Sequence, residues 1–411
     1  MRRLEVIDGS DPSVVGRALR VALANDGPAL LPREFVDVVP LGDPSVGRTS
    51  TLPAEVPRAI ALVIETSGSS GLPKRVALSA DALLASAAAA EGALGGPGQW
   101  LLALPTHYIA GVQVLVRSIA AGTTPLVLGR GHFSAADFAA LADRLEAPVR
   151  YTSLVPAQLA RLVTAAEADA GIRRSVSRFD AVLVGGQALP AALHERALAL
   201  GIAVVRTYGS SETAGGCVYD GLPIGQTLAR TRGGELELSG PSLAVGYLGD
   251  EELNEAKFFT DEGVRWYRTG DAGTIEGGDA SGIAGAVAGG SVTVTGRLDN
   301  VIISGGIKVS LDRVERIVQW VPGFEEAVVV GAADEVWGQV GVVVVEESAL
   351  AAAGVQVGGA DPLEQVRRVV ADAAGRAAAP ARLLVVERVS RLSSGKPDRQ
   401  LIASRLQDDP H

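Results

Sequence analysis

The run Ala59-Ile60-Ala61-Leu62-Val63-Ile64 leads into Thr66-Ser67-Gly68-Ser69-Ser70-Gly71-Leu72-Pro73-Lys74, and a helical pattern starts near Ser79. That order predicts a strand, an anion-binding loop and a helix. Two glycines let the backbone approach an anion closely, four hydroxyl residues offer donors, and Lys74 adds a mobile positive charge. The loop is not of the Walker A type, in which Gly-Lys runs directly into Ser or Thr, because Pro73-Lys74 is followed by Arg75. On these residues alone, a flexible Gly/Ser turn is an equally good reading.

From about residue 57 to 207, short apolar runs at 100–104, 125–128, 149–154, 181–184 and 203–205 alternate with helical patterns such as 134–145 and 156–168. This alternation predicts an α/β fold of layered, parallel-rich sheets covered by helices, with binding groups on loops at the carboxyl ends of the strands. Asp11-Pro12 opens an amphipathic helix over 11–24, and a less regular segment follows it to about Pro57. After residue 217, Gly-punctuated strands such as 235–238 predict a smaller antiparallel subdomain. From about Asn300, helices at 310–320 and 362–373 and strands at 327–330, 340–345 and 383–386 predict a small α+β domain. A chain of 411 residues exceeds what one core usually supports, so the expected division is 1–298 and 299–411. The Gly/Ala-rich run 277–290 is read as a loop without assigned function.

Composition narrows the function. A formal net charge of −10 argues against nucleic-acid or anionic-membrane binding, whereas a nucleotide held by local positive groups fits. The one cysteine, Cys217, rules out an intrachain disulfide and a cysteine metal cluster and fits a reducing compartment. Arg2 and Arg3 are followed by Glu5, Asp8 and Asp11, which is unlike a signal peptide, and the apolar stretch at 82–90 is short of the roughly 20 residues that span a bilayer. A cytoplasmic protein without membrane insertion is expected. The four histidines show no metal-ligand spacing, which argues against a zinc hydrolase.

Further segments carry chemistry. His107 follows a strand end, where a histidine by itself more often serves a turn. Gly185-Gly186 lets backbone pack against a flat ring or an acyl chain. Tyr208-Gly209-Ser210-Ser211-Glu212 puts an aromatic face, hydroxyls and a carboxylate at one strand end. Asp271, Gly296-Arg297-Leu298-Asp299 and Gly395-Lys396 complete the series.

Taken in order, these segments resemble the motifs of the adenylate-forming enzymes, the superfamily of acyl-CoA synthetases, luciferases and peptide-synthetase adenylation domains. Residues 66–74 match its phosphate loop except that Ser70 replaces a threonine. The resemblance implies that Thr66, Ser67, Gly68, Ser69, Ser70, Gly71 and Lys74 hold the phosphates of ATP, with Gly185, Gly186 and Gly209 on the adenine side. It implies that Tyr208 stacks on adenine, Ser211 bonds the α-phosphate and Glu212 ligates Mg²⁺. Asp271 and Arg297 would contact ribose, Lys396 would enter the site during adenylation, and His107 would gate the thiol path. Asp299 would be the hinge of the small domain, and Gly305 and Gly306 would line the coenzyme A tunnel. A carboxylic acid, ATP and coenzyme A are then the small-molecule partners, and a homodimer is left open.

Within the acyl-CoA synthetases, the short N-terminal region, Ser153-Leu154-Val155-Pro156-Ala157-Gln158-Leu159 and the segment 299–306 resemble a branch whose acid carries a second carboxylate. A buried carboxylate needs a cation or several donors. Arg117, with Ser153 and Gln158 as donors, is the candidate, against an equally good reading of Arg117 as a surface residue. Other aryl or fatty acyl-CoA ligases, a free-standing peptide-synthetase-type adenylation enzyme, and a non-catalytic ATP-binding regulator are the alternatives.

Overall fold

The computed structural model describes residues 1–34, 52–66, 73–129, 131, 133–277, 279–280, 287–288, 290–355, 361–392 and 396–408. Ser67, Gly68, Ser69, Ser70 and Gly71 of the phosphate loop, and most of the run 277–290, lie outside the described residues.

The apolar run before the loop forms the strand Ile60–Thr66, whose first five residues are buried, as a strand covered on both faces must be. It runs parallel to Ala29–Arg33, and that strand parallel to Arg2–Asp8. The sequence reading had no strand in the last two places: Leu30 and Leu31 stand beside Pro32, and the alternation in Arg2–Asp8 is brief. The segment after the loop also differs from expectation. Lys74–Ser79 is a strand antiparallel to Ile60–Thr66, with Thr66 opposite Lys74, and only then does the helix Ala80–Leu94 begin. The loop therefore joins two strands. The cause is Val76-Ala77-Leu78, an apolar run fully used in the sheet. Ser79 caps the helix by accepting from the backbone N–H of Ala82 at 3.0 Å.

The second sheet has the order Leu222–Pro223, Gly215–Tyr219, Val204–Ser210, Ala181–Val184, Arg150–Leu154, Gln99–Leu102, Leu126–Val127. Its last five strands are parallel, and the first two join antiparallel. Helices Pro12–Leu23, Ala80–Leu94 and Ile109–Ala120 lie between the two sheets, with Val15, Leu19, Leu83, Val112 and Val116 packed among Leu62, Ile64, Trp100 and Leu102. Each such side chain contributes about 1.5–3 kcal/mol by leaving water. On the other face, Leu159, Leu162 and Val163 of the helix Pro156–Ala168 join Phe138 and Phe179.

The expected antiparallel subdomain is a third sheet of Leu228–Arg232, Glu235–Ser239, Val264–Glu276 and Phe258–Asp261, with Ser291–Arg297 paired to the long strand. Beyond it, Ile307–Ser310, Val301–Ser304, Gly338–Glu346 and Val328–Asp334 form an antiparallel sheet, with Arg382–Val386 added in parallel. Helices Leu311–Val318 and Pro362–Ala374 cover one face of that sheet, and Arg399–Asp408 covers the other. The architecture is α/β throughout the large part and α+β in the small one.

Two glycines should respond to alanine with opposite sign. A Cβ on Gly111 would meet Pro105 O at 2.1 Å, whereas one on Gly92, exposed on the helix Ala80–Leu94, meets nothing within 4 Å. Gly111→Ala should lower the melting temperature followed by circular dichroism, and Gly92→Ala should raise it, by the roughly 0.5–1 kcal/mol that alanine gains over glycine in a helix.

Candidate active site

The carboxyl ends of the second sheet's strands open onto a cavity of about 620 Å³, which also borders the third sheet and the C-terminal part of the chain. Of the residues singled out from sequence and described here, Thr66, Lys74, Ser153, Gly185, Gly186, Tyr208, Gly209, Ser211, Glu212, Asp271, Arg297, Asp299, Lys396 and Arg117 line it. Residues 330 positions apart in sequence thus share one wall.

The strand Val204–Ser210 delivers the central group. Its backbone passes so close to its neighbour that a Cβ on Gly209 would lie 2.1 Å from Gly215 O. The 3₁₀ turn Ser211–Thr213 follows and sets the Glu212 carboxylate into the wall. Tyr247 donates its hydroxyl to Glu212 Oε1 at 2.8 Å, and burial, reinforced by the Glu212 charge, pushes the Tyr247 phenol well above its ordinary range. Tyr247 is therefore a permanent donor. Among the described residues nothing else donates to the Glu212 carboxylate, which leaves its second oxygen for another cation or donor.

A second chain of bonds crosses between sheets. Tyr208 donates to Asp271 Oδ2 at 2.6 Å, and Arg297, directly opposite Asp271 on the adjacent strand, donates from Nη1 to Asp271 Oδ1 at 3.1 Å. Arg297 also grips Asp299 with Nε and Nη2, at 3.0 and 3.1 Å. Burial raises the pKa of Asp271, and the hydrogen bond from Tyr208 and the charge of Arg297 offset part of that rise. Asp299 goes the other way, because the Arg297 hydrogen bonds hold its carboxyl below the usual range.

Lys396 enters from the C-terminal part and reaches the glycine pair, where a Cβ on Gly186 would lie 3.6 Å from Lys396 Cε. Its segment is pinned by a bridge between Arg391 and Pro397 and by Leu392 N–H donating to Lys396 O at 2.8 Å. The side chain keeps accessible surface because the cavity is open around it. Protein walls nevertheless displace bulk water there, which lowers its pKa, with the Glu212 charge pulling against that shift.

Arg117 lies at another part of the wall, on the helix Ile109–Ala120, and is buried. Its Nη2 donates to the Tyr219 hydroxyl at 3.3 Å and its guanidinium carbon sits 4.9 Å from the centre of the Trp100 ring. Among the described residues no carboxylate pairs with it, and its Nε has no acceptor. The surface reading of Arg117 does not hold, since its side chain is buried; it lines this cavity and also a small pocket shared with Glu91, Trp100 and Tyr151.

Four residues singled out from sequence stand elsewhere. His107 is outside the lining, its Nε2 3.8 Å from Glu34 and its ring 4.2 Å from that of Tyr108, which does face the cavity. Burial lowers the His107 pKa, opposed by Glu34. Gln158 caps its own helix, accepting from Val155 N–H at 3.1 Å and donating to Ala103 O at 2.9 Å, and is also absent from the lining. Gly305 and Gly306 form an exposed turn, with Gly305 N–H bonded to Trp337 O at 2.9 Å. The sequence reading missed Gln113, Tyr219 and Tyr267 on the wall. Gln113 could have been found as the residue one helical turn before Arg117.

The sequence pattern of the AMP-binding enzymes matches residues 24–233, and that of the AMP-binding enzyme C-terminal domain matches residues 313–396. The chain belongs to the AMP-binding enzyme family. A relative from Mycobacterium tuberculosis, named probable 2-succinylbenzoate–CoA ligase, is 39% identical over 411 residues, covering 99% of this chain and 98% of that one. The 2-succinylbenzoate–CoA ligase of Escherichia coli is 31% identical over 68% of this chain and 57% of its own length. Among solved structures, a variant of E. coli MenE with bound OSB-AMS superposes with a TM-score of 0.72 at 25% identity, covering 98% of this chain and 87% of that one. An o-succinylbenzoate coenzyme A synthetase from Bacillus subtilis in complex with ATP and magnesium ion gives 0.66 at 27%, with 83% and 69% covered.

For this AMP-binding enzyme the Tyr208–Asp271 bond makes a signed prediction. The ribose contact expected of Asp271 requires it to be ionised, and it is lost as an acceptor when pH falls through its raised pKa. Tyr208→Phe removes a group that lowers that pKa, so the acid limb of kcat/KM for ATP should move to higher pH. An unmoved limb in a pyrophosphate-exchange pH profile would separate Asp271 from nucleotide binding.

Proposed function

We propose that the chain converts 2-succinylbenzoate, ATP and coenzyme A to the acyl-CoA, AMP and pyrophosphate, a step of menaquinone biosynthesis, through an acyl-adenylate. The chain is an AMP-forming acid–CoA ligase. The observation that carries the choice of acid is Arg117, a buried cation with no acidic partner among the described residues, in the same cavity as Lys396, Glu212 and Asp271. A buried unpaired charge is costly, so the pocket suits a ligand that brings the missing anion. 2-Succinylbenzoate has two carboxylates, and when the succinyl one is activated the ring carboxylate stays charged and meets Arg117, with Ser153 also in the lining.

In this reading the succinyl carboxylate attacks the α-phosphorus of ATP and pyrophosphate leaves. The reactants are anions, so the residues act by charge neutralisation and alignment. Lys74 and Lys396 supply positive charge, the chain from Tyr208 to Arg297 holds the ribose acceptor Asp271, and Ser211 bonds the α-phosphate. Glu212 suits Mg²⁺, since it is a carboxylate in the cavity lining with only Oε1 bonded among the described residues, and Mg²⁺ is usually held by one or two carboxylates together with substrate phosphates. When bound, that ion would neutralise phosphate charge.

The domain assignment belongs to the same proposal, with 1–298 as the core, 299–411 as the mobile part and Asp299 as hinge. Lys396 in the cavity, with Gly305 and Gly306 exposed outside it, fits an adenylating arrangement. Rotation about Asp299 would withdraw Lys396 and bring the 305–306 turn to the coenzyme A path.

A panel of acids assayed for CoA-thioester formation tests the substrate, and turnover of benzoate or a medium-chain fatty acid as good as that of 2-succinylbenzoate would refute it. Lys396→Ala should lower adenylation by about 10²–10³-fold while synthetic acyl-adenylate and coenzyme A still react. Equal loss in both half-reactions would make Lys396 a structural residue. Arg117→Ala should raise KM for 2-succinylbenzoate about 10–100-fold and leave that for ATP nearly unmoved, as expected when a hydrogen-bonded charge loses its partner.

A further inference from the structure

The strand Ser291–Arg297 pairs with Val264–Glu276, and the ladder between them skips a residue: Ala272 faces Gly296, and Gly273 faces Val294. Thr295 is therefore the extra residue of a bulge, left out of the ladder where the strand bends. The helix Leu311–Val318 packs on this bend, so closely that a Cβ on Gly296 would lie 2.9 Å from Asp312 Cβ. It presents Asp312 and Arg316, one turn apart on one face. Arg316 donates from Nη2 to Thr295 O at 2.6 Å and from Nη1 to Val294 O at 3.1 Å, and Asp312 Oδ2 accepts from Arg297 N–H at 2.6 Å. A carboxylate thus meets an N–H and a guanidinium meets carbonyls, which fixes the direction in which helix and strand can join.

The same helix holds the segment that bears Lys396. Glu315 Oε1 accepts from Arg399 Nη2 at 2.7 Å, and Arg399 Nη1 donates to Val329 O at 2.7 Å. Arg399 follows Lys396 by one helical turn's worth of chain and lines the cavity with it. A continuous path of contacts therefore runs from the bulged strand, through the helix, to the lysine. It starts beside Arg297, whose side chain grips Asp271 and Asp299. Asp312 and Arg316 are only half-buried, so water can take the place of the backbone groups when the surfaces part. The contact is directional and also releasable.

We propose that Asp312 and Arg316 are positioning residues for adenylation: they dock the C-terminal part on the strand Ser291–Arg297 and so hold Lys396 in the cavity. The inference rests on the reading of Lys396 and of the Asp299 hinge given above. Rotation about Asp299 separates the helix from the strand, and the thioester step then proceeds without the contact. Losing the contact costs the first half-reaction alone.

The test measures both half-reactions in wild type and in Arg316→Met, which keeps the apolar stem and removes both donors. Exchange of labelled pyrophosphate into ATP with 2-succinylbenzoate should fall by about tenfold, the size of a hydrogen bond from a charged donor. Thioester formation from synthetic acyl-adenylate and coenzyme A should stay at the wild-type rate or rise. A fall in exchange of less than about threefold overturns the proposal, being too small for a lost charged hydrogen bond. An equal fall in both half-reactions overturns it too, because that marks a residue needed for packing at large. Should Arg316→Met fail to fold, Asp312→Ala is judged by the same two assays and the same criteria. Lys396→Ala separates the two levels of the argument. If it loses both half-reactions equally, the reading of Lys396 fails and takes this inference with it; if it loses adenylation alone while Arg316→Met loses nothing, only this inference fails.

Discussion

The bond from Tyr208 to Asp271 is the point on which the site's layout depends. Tyr208 belongs to the second sheet and Asp271 to the third, and Arg297 carries the connection on to Asp299 at the threshold of the C-terminal part. A carboxylate as enclosed as Asp271 needs several donors to stay ionised, and it draws them from two separate layers. The cost of leaving it unpaired therefore holds those layers in register. The backbone N–H of Arg297 also donates to Asp312 at 2.6 Å, and Asn300 donates to the same carboxylate at 2.6 Å. The cavity's shape is in this sense an electrostatic consequence of a few side chains at its seam.

Much of this was legible in the sequence, for reasons that differ by element. The buried parallel strand Ala181–Val184 is a continuous apolar run bounded by turn residues, and such a run announces itself. Tyr208, Glu212, Asp271, Arg297 and Lys396 could be singled out because each sits in a short motif, and the cavity brings them together although nothing in local spacing says so. The strand Lys74–Ser79 was illegible because Val76-Ala77-Leu78 leads straight into a helical pattern, and three residues of apolar run do not separate strand from helix. The pairing across the loop, Thr66 with Lys74, is a tertiary fact.

Side-chain aim was the other limit. Gln158 and Gln113 are alike in chemistry, yet Gln158 spends both ends of its amide on its own helix start and the carbonyl of Ala103, while Gln113 Oε1 is buried without a donor among the described residues. His107 stands next to Tyr108, and it is Tyr108 that faces the cavity. A single residue's rotation along a turn decides which neighbour meets ligand, and composition or motif order carries no record of it.

The helix Ile109–Ala120 has a wider meaning for how such a chain diversifies. The groups assigned to nucleotide come from strand ends and turns of several sheets, whereas Gln113 and Arg117 lie on one helix face that contributes little else to the cavity besides Ile109 and Ala110. In the proposed reading, chemistry and selectivity are thus written on separable pieces of polypeptide. On that reading, exchanging a turn of that helix would retune which acid is welcomed without redrafting the adenylating apparatus, so lineages would drift toward new acids by small edits to a single secondary-structure element.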